Sequence, residues 1–316
     1  MNIVVLDRLT LGEDLDLSQA ENYGSVTVYD ATAPEEIGKR IQDADVIFVN
    51  KAKLGAENLK DAKNLKLICE AATGYDNIDV EYCRQHGIGV CNVPGYSVYS
   101  VAQVTVGMVL NLVNRFAEYT RYTADGTYSK GGSANILKPV YHELYGKTWG
   151  IVGYGSIGAK VGEIAKALGC RVLAFKRTPV EGVECRDLDS LLTESDVVTV
   201  HIPLSAETRG LISRERIAKM KDTAILVNTA RGAVVDEEAL CEAVKNGKLA
   251  GIGTDVYSVE PFGEESPYFA VKHLDNVCLT PHMAWGTIEA RERCFGEMLL
   301  NMKAFFDGKI RNRVDL

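Results

Sequence analysis

Six residues near the middle of the chain, Gly153-Tyr154-Gly155-Ser156-Ile157-Gly158, have the spacing of a dinucleotide-binding turn. The apolar run Trp149–Val152 precedes them, and we predict a helix from residue 157 to about residue 168. In this setting Gly153 permits a tight turn, Gly155 lets the backbone approach a pyrophosphate, and Gly158 allows close packing of helix on strand. The helix N-terminus offers N–H donors and partial positive charge to phosphates. The motif therefore predicts a dinucleotide site rather than an ordinary glycine-rich turn.

The end of the next strand bears on which nicotinamide dinucleotide is bound. An NAD enzyme usually places Asp or Glu there, where it accepts a hydrogen bond from the ribose 2′-OH. Lys176 lies 18 residues after Gly158, at the position expected for that acid, and Arg177 and Thr178 follow it. Two cations and a hydroxyl suit a 2′-phosphate, which favours NADP. If Lys176 and Arg177 are instead solvated, NAD would bind without an acidic partner.

Three more segments place polar side chains directly after apolar strands. They are Val227–Gly232, Asp255–Pro261 and Leu279–Trp285, and they contain Arg231, Glu260 and His282 respectively. Open α/β sheets bind ligands at the carboxyl ends of their strands, so these positions are candidates for one site. Taken singly, each residue has a structural alternative. The arginine could form a surface ion pair, the glutamate could be a turn carboxylate before Pro261, and the histidine could cap or pair structurally.

These residues must be positioned by a regular alternation of strands and helices. Short apolar runs in the first hundred residues alternate with candidate helices, which implies a parallel sheet covered on both faces. A long buried helix is predicted over residues 100–119, and then a polar, glycine-rich stretch over residues 124–145 that could contact a partner subunit. A second strand–helix series and a last helix over about residues 287–307 follow. The two halves share one plan, so we expect two lobes with a cleft.

Composition limits the class of protein. The 316 residues are 46% hydrophobic and 25% charged, as in ordinary globular proteins, and the net charge of −8 disfavours nonspecific nucleic-acid binding. No apolar run approaches the roughly 20 residues of a membrane span. The start of the chain lacks the features of a secretory signal, so we expect a cytoplasmic protein. The eight cysteines form no C-x-x-C pair and suggest reduced thiols. A zinc site is left open, but no ligand cluster supports one, and we predict no metal.

Together these segments resemble the D-isomer-specific 2-hydroxyacid dehydrogenase family over essentially the whole chain. The resemblance also includes Ala72–Asp79, Asn92–Gly95 and His201–Leu204. Several details are similar to its glycerate dehydrogenase (hydroxypyruvate reductase) branch, namely Asn50-Lys51, Ala72–Tyr75, Ser100–Gln103 and Pro281–Trp285. Lys176 departs from the usual NAD pattern of the family.

The resemblance implies an α/β fold of two doubly wound parallel-sheet lobes. One is a Rossmann dinucleotide-binding domain over residues 99–286. The other is a discontinuous, flavodoxin-like substrate domain formed by residues 1–98 and 287–316. It also implies a homodimer built on the cofactor domain. Closure of the two lobes would exclude water around the reacting atoms.

The resemblance further implies a catalytic triad of Arg231, Glu260 and His282. Reduction of a keto acid needs a proton on the carbonyl oxygen, and His282 would supply it, since an unperturbed imidazole has a pKa of about 6.5. Glu260 would orient the imidazole through its other ring nitrogen and favour its charged form. Arg231 would bind the substrate carboxylate and polarise the carbonyl.

Other site residues follow from the same matches. The implied substrate-binding residues are Thr73, Gly74 and Lys51, although a solvated lysine is an equally good interpretation of Lys51. The implied cofactor-binding residues are Gly153, Tyr154, Gly155, Ser156, Ile157, Gly158, Lys176, Arg177, His201, Pro203, Thr229, Ala230 and Asp255.

The expected activity is hydride transfer between NAD(P)H and a small 2-keto acid, giving a D-2-hydroxy acid. Hydroxypyruvate or glyoxylate is the expected substrate, and D-glycerate or glycolate the product. A sibling activity on D-lactate, 3-phosphoglycerate, phosphite or formate is an alternative, and 3-phosphoglycerate is disfavoured because no regulatory domain follows residue 316. A dinucleotide-sensing regulatory protein of the same fold is a further alternative.

Overall fold

The computed structural model describes residues 1–316, which divide into two compact units. Unit 1 comprises Met1–Ser97 and Gly286–Leu316, and unit 2 comprises Val98–Trp285. None of the helices combines the length and the apolar character that crossing a membrane requires.

The α-helices, in chain order, are α1 Ile37–Arg40, α2 Ala56–Leu59, α3 Val80–Gln85, α4 Val98–Val113, α5 Phe116–Ala124, α6 Thr127–Lys130, α7 Ser156–Ala167, α8 Leu188–Glu194, α9 Arg214–Lys219, α10 Glu237–Lys245 and α11 Ile288–Phe306. Short 3₁₀ helices cover Arg8–Thr10, Ser18–Tyr23, Pro34–Glu36, Gly232–Val234 and Pro267–Ala270.

Unit 1 is built on a five-stranded parallel sheet with the order β2-β1-β3-β4-β5. The strands are β1 Asn2–Val5, β2 Ser25–Val28, β3 Val46–Val49, β4 Leu67–Glu70 and β5 Gly89–Cys91. This is the flavodoxin-like order, in which the chain changes direction across the sheet between β1 and β3. All residues of β3 and β4 are buried, because helices cover both faces. The prediction of a flavodoxin-like sheet is confirmed.

Unit 2 contains a seven-stranded parallel sheet with the order β12-β11-β10-β9-β6-β7-β8. The strands are β6 Thr148–Val152, β7 Arg171–Phe175, β8 Glu184–Cys185, β9 Val197–Val200, β10 Ile225–Asn228, β11 Gly251–Thr254 and β12 Val277–Leu279. Read from β8, this is the Rossmann order with one additional strand, and its switch point lies between β6 and β9. The predicted Rossmann fold is confirmed, and β6 leads directly into the glycine motif.

One of the apolar clusters of unit 2 lies beneath helix α4. Trp149 on β6 is fully buried and packs in one apolar cluster with Val106 and Val109 of α4 and Val161 of α7. Its indole N–H donates to Thr199 Oγ1 of β9 at 3.1 Å, so the polar atom of this large side chain is satisfied. This packing holds β6 and α7, the two elements that flank the glycine turn, in fixed register.

The long helix predicted over residues 100–119 is divided in the structure. Helix α4 ends at Val113, and Arg115 adopts the left-handed conformation with φ of 54° before α5 begins. Asn114 donates from its side chain to the carbonyl oxygen of Leu110 at 2.9 Å, which replaces part of the helical hydrogen bonding. Helix α5 has no buried residues, so no apolar face requires it to continue the direction of α4. The polar stretch that follows includes the short helix α6.

Candidate active site

A histidine and a glutamate form a short polar contact beyond the carboxyl ends of β12 and β11. His282 Nδ1 lies 2.6 Å from Glu260 Oε2. The two side chains keep 24% and 32% of their surface exposed, so the pair is sheltered yet reachable from solvent. His282 has φ of 53°, a conformation that is rare outside glycine and occurs at strained functional positions. The contact assigns Nδ1 to the glutamate and leaves Nε2 as the other ring nitrogen.

The loop that carries His282 is held by Asp255, the residue after β11. Asp255 is 2% exposed, and its carboxylate accepts three hydrogen bonds from this loop. Thr280 Oγ1 donates at 2.5 Å, the N–H of Met283 at 2.8 Å and the N–H of Ala284 at 2.9 Å. Hydrogen bonds from these three donors stabilise the negative charge of the buried carboxylate. Asp255 therefore holds the loop on both sides of His282, through a side chain before it and two backbone N–H groups after it.

Arg231 follows β10 on a turn that Asn228 organises. The buried amide of Asn228 accepts from Ala230 N–H at 3.0 Å and donates to the carbonyl oxygen of Arg231 at 2.9 Å. The next residue, Gly232, touches the neighbouring loop so closely that a Cβ would lie 2.2 Å from the carbonyl carbon of Tyr257. Only glycine fits there. The connection that carries Arg231 is thereby packed against the loop that carries Glu260.

The glycine motif has three different environments. Gly153 has φ of 97°, and a Cβ on it would lie 2.4 Å from Ile202 Cγ2. A Cβ on Gly158 would lie 2.2 Å from the carbonyl oxygen of Gly153, so helix α7 packs directly on the turn. At Gly155, just before α7, a Cβ would meet nothing within 4 Å. The N-terminus of α7 thus opens onto free space beside a backbone without a side chain, which suits a pyrophosphate.

His201 supplies a second observation at this turn. Its backbone borders Gly153, and both of its ring nitrogens are buried without a hydrogen-bond partner. Burial lowers the pKa of this imidazole to about 3, so the ring is neutral. Buried polar atoms normally have partners, and a ligand group is one way of supplying them. The open helix terminus and the unpaired imidazole together fit a bound dinucleotide.

Comparison with known proteins places this site in a family. The model of the D-isomer specific 2-hydroxyacid dehydrogenase NAD binding domain matches residues 106–284. A hydroxypyruvate reductase of Blautia hydrogenotrophica is 37% identical and covers 100% of both chains. A glycerate dehydrogenase of Methylorubrum extorquens is 37% identical over 99% of this chain and 98% of its own. The solved D-lactate dehydrogenase of Aquifex aeolicus, in complex with NAD and lactic acid, is 32% identical, with a TM-score of 0.87 over 100% of this chain and 99% of its own.

The chain belongs to the D-isomer-specific 2-hydroxyacid dehydrogenase family. It is therefore a nicotinamide-dependent oxidoreductase that acts on CH–OH donors. The Glu260–His282 pair and the glycine turn lie inside the matched segment, in unit 2 of the dehydrogenase. No three His, Cys, Asp or Glu side chains are grouped so as to hold a metal ion.

The remaining cofactor candidates of the dehydrogenase differ in exposure. Lys176 and Arg177 directly follow β7 and are exposed. Pro203 is also exposed, and its carbonyl oxygen accepts from Thr208 Oγ1 at 2.7 Å. Their roles toward the dinucleotide stay predictions.

Other predicted cofactor residues already have partners within unit 2. The ring of Tyr154 lies against helix α7, where a Cβ on Gly162 would be 2.9 Å from its hydroxyl. Thr229 Oγ1 lies 2.9 Å from Thr105 Oγ1 of α4. Tyr154 therefore packs against α7, and Thr229 anchors the turn after β10 to α4. The bonds described for Asp255 are likewise within unit 2, to the loop after β12, and its contact with the cofactor stays a prediction.

The substrate-binding candidates lie in unit 1, on loops at the carboxyl end of its sheet. The Lys51 side chain is exposed, whereas its backbone N–H donates to Asp7 Oδ2 at 2.6 Å. Thr73 Oγ1 donates to the carbonyl oxygen of Val93 at 2.9 Å, which holds the turn that leads to Gly74. These loops are thus ordered by unit 1 itself.

Sequence reasoning missed two residues that shape these loops. Asp7 is buried and accepts the N–H groups of three successive residues, 50–52. Asn228 organises the turn of Arg231, as described above. Both come at or just beyond the carboxyl end of an apolar strand. That position, occupied by Asp or Asn, is the signal by which they could have been found, because these side chains commonly bond to nearby backbone.

Proposed function

We propose that this dehydrogenase reduces hydroxypyruvate, with glyoxylate as a second substrate, to D-glycerate and glycolate. The observation that carries the proposal is the 2.6 Å contact between His282 Nδ1 and Glu260 Oε2, which leaves Nε2 as the proton donor. Two relatives support the choice of substrate, one named hydroxypyruvate reductase and the other glycerate dehydrogenase. Each is 37% identical to this chain over nearly its full length.

The proposed mechanism assigns one task to each triad residue. Arg231 binds the carboxylate of the keto acid with its fork of N–H donors, which places the carbonyl carbon and polarises the carbonyl oxygen. His282 donates a proton from Nε2 to that oxygen, and Glu260 holds the imidazole in orientation and stabilises its charged form. The nicotinamide, when bound, supplies the hydride equivalent. In the oxidative direction His282 accepts the proton of the alcohol.

We propose that unit 2 holds the dinucleotide. Gly153, Gly155 and Gly158 would form the turn, while Ser156 and Ile157 present the N-terminus of α7 to the pyrophosphate. His201 would offer a neutral ring nitrogen to the ligand. Lys176 and Arg177 would bind a ribose 2′-phosphate, which favours NADP over NAD. Both cations lie exposed directly after β7, where a 2′-phosphate can reach them.

We propose that unit 1 binds the substrate. Gly74 would donate its backbone N–H to the substrate carboxylate, and Thr73 and Lys51 would lie beside it. The division of the chain near residues 97 and 286 supports separate cofactor and substrate domains. We also propose that the enzyme acts in the cytoplasm, because all eight cysteines are free thiols.

A homodimer formed through residues 116–145 is part of the proposal. This segment exposes Leu137, Val140 and Tyr145, which keep 70%, 65% and 78% of their surface exposed. A concentration of exposed apolar side chains in one segment commonly marks a protein–protein contact. The acidic chain carries no feature that calls for nucleic acid or membrane as a partner.

The test is a substrate panel. Hydroxypyruvate, glyoxylate, pyruvate and 2-ketoisocaproate are each reduced with NADH and with NADPH, and kcat/KM is measured for every pair. We expect hydroxypyruvate to lead with either cofactor. A lead for 2-ketoisocaproate would reject the substrate but keep the family chemistry. Absence of turnover on all four acids would reject the proposed function.

A His282→Gln variant checks the reaction class in the same assays. Formate oxidation needs no acid–base group on an alcohol oxygen, whereas keto-acid reduction does. We therefore expect the variant to lose activity on hydroxypyruvate and to show none on formate. Full activity of the variant with formate would favour formate oxidation instead.

A further inference from the structure

A second carboxylate reaches the loop of Glu260 from helix α10. Glu237 is the first residue of α10 and lies six residues after Arg231 along the chain. Its side chain is partly buried, and its Oε1 accepts a hydrogen bond of 2.8 Å from the backbone N–H of Ser258. Ser258 stands two residues before Glu260. This bond therefore joins the connection that carries Arg231 to the loop that carries Glu260.

Two carboxylates hold consecutive peptides of this loop. The N–H of Tyr257 donates to Glu260 Oε1 at 3.0 Å, and the next N–H, of Ser258, donates to Glu237. The other oxygen of Glu260 is the one that pairs with His282. Glu260 is thus bonded at one oxygen to its own backbone and at the other to the imidazole. A rotation of the Tyr257–Ser258 backbone would displace the carboxylate that orients His282.

The bond from Ser258 to Glu237 lies where two loops pack closely together. Gly232 packs against the same peptide, where a Cβ would lie 2.3 Å from the nitrogen of Ser258, so position 232 accepts no side chain. Burial raises the pKa of Glu237, the bond from Ser258 opposes that rise, and Glu260 adds repulsion. Two carboxylates share this small region although each raises the cost of ionising the other. Each of the two carboxylates accepts a backbone hydrogen bond here, Glu260 from Tyr257 and Glu237 from Ser258.

We infer that Glu237 is a positioning residue for the Glu260–His282 pair. It touches neither the reacting atoms nor the imidazole, and it acts by holding the peptide from which Glu260 projects. The bond also fixes the distance between the connection of Arg231 and the loop of Glu260. The inference rests on the proposed function, because the orientation of His282 limits the rate only if His282 transfers the proton.

A double-mutant cycle tests the inference in the full-length enzyme. We expect Glu237→Ala to lower kcat for hydroxypyruvate by about tenfold to 10²-fold, with little change in the KM for the nucleotide. Glu237→Gln keeps an acceptor oxygen for Ser258 and should stay within about threefold of the wild type. In a Glu260→Ala background the orientation is already lost, so Glu237→Ala should cost less than about twofold. Glu238→Ala, on the exposed neighbour in the same helical turn, is the matched control.

Two kinetic results would overturn the inference: an equal loss in both backgrounds, or no loss from Glu237→Ala in the wild type. Amide hydrogen exchange at Ser258 gives an answer that needs no substrate. Exchange should accelerate in Glu237→Ala and stay at the wild-type rate in Glu237→Gln. Unchanged exchange in Glu237→Ala would also reject the inference. An enzyme that reduces no keto acid would reject the proposed function, while the exchange measurement would still decide whether Glu237 holds this peptide.

Discussion

At the scale of single residues, the decisive feature is which nitrogen of His282 faces Glu260. A carboxylate on Nδ1 fixes the orientation of the ring and leaves Nε2 as the nitrogen available for proton transfer. The left-handed backbone of His282 shows that the loop holds this orientation against a local conformational cost of about 1–2 kcal/mol. A residue held in this way is expected to serve the reaction rather than local stability.

We therefore predict that His282→Ala lowers kcat for keto-acid reduction by about 10²–10⁴-fold, because a general acid contributes that much to the rate. Dinucleotide affinity, measured by fluorescence titration with NADPH, should change little. His273→Ala, which removes an exposed histidine of the same unit, is the control. Wild-type kcat in His282→Ala would remove this residue from the role of proton donor.

The residue that follows β7 should decide cofactor preference. We predict that Lys176→Asp shifts the ratio of kcat/KM for NADPH to that for NADH by about 10–10²-fold toward NADH, since one charged hydrogen bond is exchanged for a repulsion. The measurement is the ratio for each enzyme. Lys245→Asp, at an exposed position at the end of α10, makes the same change in net charge and should leave the ratio unchanged. An unchanged ratio in Lys176→Asp would show that Lys176 does not contact the ribose.

At the scale of elements, the catalytic side chains depend on loop anchors that lie behind them. Asp255 holds the loop after β12, Asn228 the turn after β10, and Glu237 the loop after β11. Asp255 and Asn228 stand at the ends of strands, whereas Glu237 stands at the start of α10, in the connection after β10. Parallel strands bring these ends to one edge of the sheet, and the anchors convert that proximity into fixed geometry.

We predict that Asp255→Asn lowers kcat by about tenfold or more and lowers Tm by a few degrees. The side-chain NH2 group of the asparagine would face N–H or O–H donors of the loop, and at least one of those donors would lose its acceptor. Leaving a buried donor unsatisfied costs about 1–3 kcal/mol of folding free energy. Kinetics and a thermal melt measure the two effects. Thr280→Val removes only one donor and should have a smaller effect on both. A rise in the KM for the nucleotide with unchanged kcat would instead favour contact of Asp255 with the nicotinamide.

Apart from the two-residue strand β8, the strands and the glycine turn could be predicted from the sequence, but the break after α4 could not. Buried parallel strands read as short, continuous apolar runs, and that signal is local. The break depends on Arg115 adopting a left-handed backbone and on Asn114 bonding back to Leu110, although neither residue is a glycine or proline. The bond from Ser258 to Glu237 is equally hidden, since it joins residues 21 positions apart through a side chain. Tertiary contacts of this kind leave no periodic trace.

At the scale of the whole molecule, the two sheet orders explain where function is concentrated. The flavodoxin-like order of unit 1 and the Rossmann order of unit 2 each create one switch point, and ligands bind outside the carboxyl ends of strands at such points. Asp7 of unit 1 and the glycine turn of unit 2 both stand at these points. The segment 116–145 belongs to neither switch point, and its apolar side chains therefore require a separate explanation.

We predict that these side chains bury against a second copy of the chain. Light scattering coupled to size exclusion should give about twice the 34.5 kDa of one chain. A Leu137→Glu, Val140→Glu variant should dissociate at micromolar concentration, because charges buried in an apolar contact weaken association by about 10²-fold or more. Ile310→Glu, which alters an equally exposed apolar residue of unit 1, should leave the mass unchanged. A monomeric wild type would reject the dimer, and dissociation by Ile310→Glu alone would move the interface to unit 1.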